Sequence, residues 1–406
     1  MNINPRLLQV AQFDYELPSQ KIALHPLPQR DASKLLIYQD GNIEDALFSS
    51  LPQQLTTGSS LIFNQTKVIP ARLIIEKPTG GQIEIFCLEP ASGERDMNQA
   101  LLATGSLQLH CLVGGASKWK RGIVLKQFNQ HVELTIEMVN KTADTFVLGF
   151  HWSPAHLSFS QILEQFGQTP LPPYLKRKPI QEDSSRYQTV YAQQEGSVAA
   201  PTAGLHFTSE TVEQLREKNI RLDSITLHVG AGTFKPVKAA QMQEHEMHKE
   251  WIDVELSFLE NWLKNLDRPL IAIGTTSLRT LESLYWIGVK ETLQPAQSIP
   301  PLSQWECYEL DKAGVTLERS LSTLIQRLKE KKQDQLITQT SLLIAPGYSI
   351  KTANALVTNF HQPRSTLLLL IAAFIGKDWK KIYEYALQNE YRFLSYGDSS
   401  LLWRKG

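Results

Sequence analysis

Two residue periodicities divide this chain, and they constrain its fold more than any other feature. Between about residues 61 and 150, apolar and polar residues alternate with period two, as in HVELTIEMV (131–139). Short turns precede two of these segments, at PTGGQ (78–82) and FNQH (128–131). Successive side chains of a strand point to opposite faces, so the pattern predicts short antiparallel strands with one buried face. A small barrel or sandwich is the expected architecture.

Beyond about residue 200, predicted helices alternate with predicted strands. TSETVEQLREKNI (208–220) is an amphipathic helix that begins with two candidate N-caps, Thr208 and Ser209. Further strands are predicted at RLDSITLHV (221–229), PLIAIG (269–274) and ANALVTNF (353–360), and further helices at SFLENWLKNLD (257–267), TTSLRTLESLYWI (275–287), STLLLLIAAFIG (365–376) and DWKKIYEYALQNEY (378–391). This alternation favours an α/β fold with a mainly parallel sheet covered by helices on both faces. Residues 289–340 are less regular, although 321–333 is predicted to be helical.

Composition narrows the class of protein. The 406 residues exceed the roughly 250–300 that one core usually serves, so two or three domains are expected. Lys plus Arg (41) balances Asp plus Glu (41), so net charge does not point to a nucleic-acid partner. Three scattered cysteines without CxxC spacing favour a reducing compartment over a disulfide framework. The N-terminus lacks signal-peptide features and the longest apolar run, 367–375, is far shorter than a spanning helix, so a soluble cytoplasmic protein is expected.

Two strand–turn–helix segments are candidate ligand sites. In IAIGTTSLR (271–279) a buried strand runs through glycine into three hydroxyl residues and a helix that carries Arg279. Uncapped N–H groups and the positive dipole end at such a start favour a carboxylate or phosphate. TNFHQPRST (358–366) has the same design, with His361 after the strand. Ligands of open α/β sheets bind at the carboxyl ends of strands. The alternative in each case is a plain turn with a hydroxyl cap.

Histidines recur at the edges of apolar elements, beside glycine, threonine or a carboxylate. They are His206, His228, His248 and His361. Imidazole titrates near neutrality and suits proton transfer, and Glu250 and Asp398 are possible carboxylate partners. A purely structural histidine remains the alternative at each position. The two histidines of HEMH (245–248) are three apart, unlike those of zinc-binding HExxH, so no metal site is expected.

Basic residues form clusters that could contact RNA. They are Lys118, Lys120 and Arg121 around Trp119; Lys176, Arg177 and Lys178; and Lys377, Lys380 and Lys381. Trp119 would add base stacking to phosphate contact. Ordinary solvated surface is the alternative for all three clusters.

Long segments spread in order over nearly the whole chain resemble a known family. They are FDYELP (13–18), LIFNQTKVIPARL (61–73), GGQIEI (80–85), PLPPYL (170–175), RYQTVYAQQEGSVAAPTAGLHF (186–207), TLHVGAGTFKPV (226–237), HEMHKEW (245–251), AIGTTSLRTLES (272–283), ALVTNFHQPRSTLLLL (355–370) and RFLSYGDSSLL (392–402). These segments are similar to those of the S-adenosylmethionine:tRNA ribosyltransferase-isomerase family of queuosine biosynthesis.

The resemblance implies an enzyme that transfers the ribosyl part of S-adenosylmethionine to 7-aminomethyl-7-deazaguanine at the wobble position of a tRNA with a GUN anticodon. The sugar would be isomerised to an epoxycyclopentane, giving epoxyqueuosine, adenine and methionine. No cofactor beyond the donor, no metal and no membrane contact are implied, and a monomer is expected. The implied fold is a discontinuous α/β domain, residues 1–70 and 151–406, interrupted by a six-stranded antiparallel β-barrel at 71–150.

The matching motifs also supply the expected site. The proton-transfer candidates are His206 or His228 as general base and His248 or Asp398 as donor or orienting group. The donor's methionine carboxylate is expected at Thr275, Thr276, Ser277 and Arg279. The other residues implied in substrate binding are Asn64, Thr66, Arg72, Gln188, Tyr191, Thr202, Gly204, Gly230, Gly232, Thr233, Glu250, Asn359 and His361. Because the sulfonium acidifies the adjacent ribose hydrogen, a modest base suffices.

Rival functions remain at this point. A paralogue could use the same donor with another deazapurine or RNA acceptor, and would then bind S-adenosylmethionine without converting the modified wobble base. A non-catalytic tRNA-binding protein could keep the fold, but has no obvious need for APTAGLHF (200–207) and LHVGAGTF (227–234). A methyltransferase is disfavoured, because no glycine-rich donor loop follows the first strand. VGAGTFK (229–235) is not a dinucleotide-binding fingerprint either, because Lys235 stands where its third glycine would fall.

Overall fold

The computed structural model describes residues 4–77, 80–91, 97–119, 124–129, 131–142, 145–230, 237 and 239–404, apart from the side chains of Asn98 and Lys118. Its strands are β1 (Lys34–Gln39), β2 (Asn42–Leu47), β3 (Ser60–Asn64), β4 (Thr66–Val68), β5 (Arg72–Glu76), β6 (Gln82–Pro90), β7 (Ser106–Gly114), β8 (Leu125–Asn129), β9 (Val132–Lys141), β10 (Phe146–Ser153), β11 (Gly167–Gln168), β12 (Gln194–Ser197), β13 (Arg221–His228), β14 (Glu250–Glu255), β15 (Leu270–Ile273), β16 (Gln335–Thr340), β17 (Ala355–Asn359) and β18 (Ser399–Trp403). Its α-helices are α1 (Leu51–Gln54), α2 (Met97–Leu101), α3 (Phe159–Phe166), α4 (Asp183–Arg186), α5 (Ser209–Glu217), α6 (Leu256–Leu263), α7 (Gly274–Leu293), α8 (Glu306–Leu310), α9 (Leu317–Glu330), α10 (Thr366–Ile375) and α11 (Trp379–Gln388).

One sheet contains nine strands in the order β16-β14-β13-β3-β15-β17-β18-β1-β2. Its centre is parallel, because β13, β3, β15 and β17 each pair in parallel with the next. β18 lies antiparallel to β17 and parallel to β1, and both edges end in antiparallel pairs. The α/β class with a mixed sheet is confirmed. The prediction of a mainly parallel sheet is wrong, because half of the pairings are antiparallel and residue periodicity carries no information on strand direction.

Both faces of this sheet are covered, which explains the continuous apolar runs of its central strands. In β3, Leu61 and Phe63 pack into a core on one face with residues of α1 and α5, whereas Ile62 packs into a core on the other face with residues of α6, α7 and α9. The most apolar helix, α10, has ten residues. Within the described ranges, no helix has the length and apolar character needed to span a membrane.

A second sheet is antiparallel throughout and has the order β11-β5-β6-β7-β10-β9-β8. Inward-facing residues such as Leu73, Ile85 and Ile136 form a separate core, against which α3 packs. The sheet curls until β5 contacts β8, although among the described residues no ladder joins these two strands. A curled antiparallel sheet in this part of the chain is therefore confirmed, while its closure into a six-stranded barrel and its place as an inserted domain stay predictions.

The segment 289–340 is more regular than its sequence suggests. It contains the end of α7, then α8 and α9, and finally β16, which pairs with β14 at the edge of the main sheet. β16 is short and polar residues occupy several of its positions, which is typical of an edge strand. Its period-two signal is too weak to identify it from the sequence.

The starts of α5 and α10 follow the predictions. Thr208 Oγ1 accepts from Thr211 N at 3.1 Å and caps α5, and Ser365 caps α10 in the same way. No side-chain cap is present at the start of α7, so the alternative of a plain turn with a hydroxyl cap does not hold there. Gly274 begins this helix with φ +86°, a left-handed conformation that favours glycine. The first-turn N–H groups of α7 are therefore not covered by a cap.

Candidate active site

A cavity of about 700 Å³ opens at the carboxyl ends of β15 and β17. The turn 199–203, the start of α7 and the segment after β17 supply most of its walls. Two of its polar atoms, Thr276 Oγ1 and Asn359 Oδ1, are buried without a hydrogen-bond partner among the described residues. Buried polar atoms are nearly always paired in folded proteins, so these two atoms mark places for a ligand.

A second cavity, of about 350 Å³, adjoins the first through Thr275, Thr276 and Leu367, which line both. Glu250 from β14 and Arg279 from α7 form a buried ion pair in its wall. Burial lowers the pKa of Arg279 to about 10, so the guanidinium stays charged at neutral pH. Arg279 Nε lacks an acceptor among the described residues. The rest of the wall is mainly apolar and includes Met247, Leu342, Leu343, Ile344 and Leu370.

The charged pair and the apolar wall of the second cavity together suit one class of ligand. Arg279 and the uncapped first turn of α7 attract an anion, and the Glu250 carboxylate attracts a cation. The apolar wall suits an aliphatic chain. An α-amino acid group with an unbranched side chain has these three features.

His206 is buried and acts on the larger cavity through Asn359. Asn359 Nδ2 donates to His206 Nε2 at 3.2 Å, so the ring proton is on Nδ1, which donates to Ser33 Oγ at 2.8 Å. Burial is the main cause that lowers the pKa of His206 to about 4. The neutral ring therefore orients Asn359, whose Nδ2 also donates to Leu394 O at 3.1 Å.

His361 is the predicted histidine that lines the larger cavity directly. Burial lowers its pKa to about 3, so the ring is neutral at physiological pH. Among the described residues, its ring is hydrogen-bonded through Nε2, to Thr358 Oγ1 at 2.9 Å, which leaves Nδ1 for a ligand. Its backbone N–H donates to Tyr383 Oη at 3.0 Å and fixes the segment after β17.

Because the buried imidazoles of His206 and His361 are neutral, we expect the protein to lose stability in mild acid. Their folded-state pKa values of about 4 and about 3 lie below the ordinary 6.5. Each stabilises the fold fully above pH 6.5, and this stabilisation is lost as the pH falls toward the folded pKa, because the unfolded chain binds the proton first. Between pH 7 and 5 each costs roughly 2 kcal/mol of unfolding free energy. Urea unfolding at pH 7 and pH 5 measures the fall in unfolding free energy between the two pH values. In His361→Gln this fall should be about 2 kcal/mol smaller than in the parent protein. An equal decrease in both proteins would contradict the assigned pKa.

Asn64 and Gln188, two of the predicted substrate-binding residues, are hydrogen-bonded to the backbone of neighbouring segments. Asn64 Nδ2 donates to Leu227 O at 3.0 Å and its Oδ1 accepts from Leu227 N at 3.1 Å, which joins β3 to β13. Gln188 Oε1 accepts from Val68 N at 2.9 Å, and its Nε2 donates to Val68 O at 3.2 Å. Both amides thus extend strand hydrogen bonding and stabilise the scaffold behind the site.

The end of β13 lies beside both cavities. His228 Nδ1 contacts Thr66 Oγ1 at 3.1 Å, and the next residue, Val229, lines the larger cavity. Gly230 N donates to Glu250 Oε1 at 3.3 Å, which connects this strand end to the ion pair. The predicted residues Gly232 and Thr233 lie outside the described residues.

Asp398 and His248 are placed poorly for proton transfer. Asp398 accepts from Lys34 N at 3.0 Å, from Arg392 N at 2.8 Å and from Arg392 Nη2 at 2.9 Å, so its carboxylate is engaged by the protein. His248 is exposed, whereas its neighbour Met247 lines the second cavity. The geometry gives no support to either as proton donor.

The turn that ends at His206 depends on glycine. A Cβ added at Gly204 would lie 1.8 Å from Tyr191 Oη, so only glycine lets Tyr191 approach. Thr202 of the same turn lines the larger cavity. Ser277 Oγ in the first turn of α7 donates to Ile273 O at the end of β15, at 2.7 Å, and supports the start of the helix rather than the cavity.

Arg72, predicted to bind substrate, and Lys176 and Arg177, predicted to contact RNA, lie apart from these cavities. Arg72 pairs with Glu84 across β5 and β6 and borders a separate cleft together with Lys176 and Arg177. The side chain of Lys118, and Lys120 and Arg121 entirely, lie outside the described residues.

Tyr174 and Ser395 are among the cavity residues that were not identified as site residues from the sequence. Tyr174, in the 3-10 turn Pro173–Leu175, and Ser395 line the larger cavity and are hydrogen-bonded to each other through their hydroxyls. Burial raises the pKa of Tyr174 to about 12, so it stays a hydrogen-bond donor. Both residues lie in segments that resemble the family, Tyr174 in PLPPYL (170–175) and Ser395 in RFLSYGDSSLL (392–402), but neither was assigned to the site.

The fold and cavities define an α/β protein with two adjoining, partly polar cavities at the carboxyl ends of its strands, beside neutral imidazoles. Among the described residues, no group of three or more His, Cys, Asp or Glu could hold a metal ion. A family model described as "Queuosine biosynthesis protein" matches residues 10–402. The chain belongs to this family.

Curated relatives of the chain share one name, S-adenosylmethionine:tRNA ribosyltransferase-isomerase. A protein of Magnetococcus marinus is 35% identical over 399 residues, 97% of this chain and 94% of its own length. Proteins of Thermotoga petrophila and Polynucleobacter asymbioticus are each 37% identical, over 97% and 98% of this chain and 100% and 98% of their own. A crystal structure of S-adenosylmethionine tRNA ribosyltransferase from Thermotoga maritima is 26% identical over 96% of this chain and 99% of that one, with a TM-score of 0.45.

Proposed function

We propose that this protein is an S-adenosylmethionine:tRNA ribosyltransferase-isomerase. It transfers the ribosyl part of the donor to 7-aminomethyl-7-deazaguanine at the wobble position of a tRNA with a GUN anticodon, forms epoxyqueuosine, and releases adenine and methionine. The observation that carries the proposal is the family match over residues 10–402, together with near-full-length relatives of that name. The paired cavities support it, because the donor has a zwitterionic amino acid end joined to a nucleoside.

The donor's methionyl end is assigned to the smaller cavity. Its carboxylate would bind Arg279 and the first turn of α7, and its ammonium would bind Glu250. The ribose and adenine would then extend past Thr275 and Thr276 into the larger cavity. Asn359 Oδ1 and Thr276 Oγ1, buried without protein partners among the described residues, would gain hydrogen bonds from this part of the ligand.

His361 is assigned the proton transfer, and His206 is assigned the positioning of Asn359. Removal of the acidified C5′ hydrogen requires an unprotonated base at the reacting carbon, and the His361 ring is unprotonated at neutral pH and lies in the cavity wall. A base of low pKa is weak, but the adjacent sulfonium raises the acidity of the hydrogen that it removes. Departure of adenine requires a proton at the purine ring. The un-ionised Tyr174 hydroxyl lines the cavity and can donate a hydrogen bond to that ring.

The domain organisation is also proposed. The separate core of the second sheet supports an inserted barrel domain that interrupts the α/β domain. Because α3 and β11 belong to this insert, its boundaries lie nearer 69–168 than 71–150. We expect the whole protein to act as a cytoplasmic monomer with S-adenosylmethionine as co-substrate and no metal.

Small-molecule products separate this function from its rivals. Purified protein incubated with S-adenosylmethionine and tRNA that carries the aminomethyl-deazaguanine should release adenine and methionine in equal amounts, as measured by liquid chromatography. Formation of S-adenosylhomocysteine would establish a methyltransferase instead. Binding of the donor without release of adenine would favour the paralogue with another acceptor.

A further inference from the structure

We propose that a cleft beside the insert holds the strand of the tRNA anticodon loop that flanks the modified nucleotide. The cleft is open to solvent, has a volume of about 1270 Å³, and lies between the outer face of β5, β6 and β7 and the loop 171–178. The proposal rests on the proposed function and names the surface by which the same site reaches its RNA.

The floor of the cleft has a nucleotide-binding composition. Arg72 on β5 pairs with Phe86 on β6, and Phe86 pairs with Leu112 on β7, so these three side chains form one row on the outer face of the sheet. All three are partly exposed, in contrast to the buried residues of the opposite face. An aromatic ring beside a guanidinium is a platform on which an unpaired base can stack.

The opposite wall is basic. Lys176 and Lys178 are exposed, and among the described residues neither takes part in an ion pair. Arg177 between them is held by Asp183, which accepts from both of its Nη atoms at 2.7 Å. This pair fixes the loop, and the two lysines are left for phosphates. Glu84 is the acidic residue in the lining, and Arg72 neutralises it.

One turn of chain joins this cleft to the reaction cavity. In the 3-10 turn Pro173–Leu175, Pro173 lines the cleft and Tyr174 lines the larger cavity. Lys176 follows at once, with φ +48°, and lines the cleft. A strand bound along the cleft would therefore bring its neighbouring nucleotide to Tyr174 at the cavity mouth. Single-stranded RNA fits better than a duplex, because the floor offers stacking and the wall offers phosphate contacts.

The test uses a fluorescein-labelled anticodon stem-loop RNA and the full-length double variant Lys176→Gln/Lys178→Gln. We expect about 10-fold weaker binding at 0.1 M salt, and a plot of log Kd against log salt whose slope is smaller by about 1.4, because two phosphate contacts are lost. Binding of S-adenosylmethionine should not change, and turnover should show a raised KM at unchanged kcat. A second variant, Phe86→Leu, keeps the apolar floor and should weaken RNA binding without changing the salt slope.

The matched control is Lys312→Gln/Lys332→Gln, which removes the same charge at two exposed lysines outside the cleft lining. Equal loss of RNA binding in both double variants, or no loss in the first, would overturn the cleft assignment while leaving the proposed function intact. Failure of the unaltered protein to bind the stem-loop and to convert the modified tRNA would overturn both.

Discussion

Glutamine at His361 is expected to slow turnover by about 10²- to 10⁴-fold, the range typical for loss of a proton-transfer group. The imidazole lines the larger cavity, is neutral, and has Nδ1 available to a ligand. Glutamine keeps a polar side chain of similar length and can still hydrogen-bond to Thr358, but it cannot accept a proton near neutral pH. Single-turnover kinetics with saturating S-adenosylmethionine would measure the loss, and donor affinity should change little.

Two other histidine variants make this result specific. His248→Gln changes an exposed histidine beside the second cavity and should retain full activity. His206→Gln removes the acceptor of the Asn359 hydrogen bond and should lower activity less than His361→Gln, with an effect that includes donor affinity. Full activity of His361→Gln together with an inactive His206→Gln would show that the sequence-based choice of His206 as base was right.

The second large effect is expected at Arg279. Methionine at this position should weaken binding of S-adenosylmethionine by about 100-fold, since removal of one partner from a buried charged contact costs roughly 2–5 kcal/mol. It should also lower the unfolding free energy by about 3–5 kcal/mol, because the buried Glu250 carboxylate would lose its ion-pair partner Arg279. Isothermal titration calorimetry and urea unfolding measure the two effects separately.

Lost stability and lost recognition can be separated with a second substitution and a second ligand. The double variant Arg279→Met/Glu250→Gln also removes the buried charge of Glu250 and should recover most of the stability but not the donor affinity. Decarboxylated S-adenosylmethionine, which lacks the carboxylate, should bind the parent and Arg279→Met with similar affinity. If Arg279→Met weakens both ligands equally, the guanidinium is structural and does not hold the carboxylate.

The parts of the fold that could be predicted from sequence are those with strong local signals. The amphipathic α5 with Thr208 as its cap and the alternating strand β9 are formed as expected, because burial and capping act over a few residues. Strand direction, the pairing of β16 with β14, and the curl of the insert depend on contacts between distant segments. Single-sequence periodicity does not contain that information.

The candidate site shows the same division. The turns after β15 and β17 could be placed at one edge of the sheet, because the carboxyl ends of parallel neighbours meet there. The family resemblance implies that Asn64, Gln188 and Asp398 are site residues. In the structure, their side chains are hydrogen-bonded to backbone groups or to arginine. Tertiary packing decides which polar groups surround a cavity. The positions of Tyr174 and His361 in the cavity wall are therefore visible only in the structure.

The central claim is tested most directly by mass spectrometry of the tRNA product. The purified protein is incubated with S-adenosylmethionine and a tRNA with a GUN anticodon whose wobble base is 7-aminomethyl-7-deazaguanine, and the tRNA is then digested to nucleosides. The account predicts conversion of the modified nucleoside to epoxyqueuosine in the parent and in His248→Gln, with little conversion in His361→Gln. An unchanged nucleoside, in a sample where the donor is shown to bind, would contradict it.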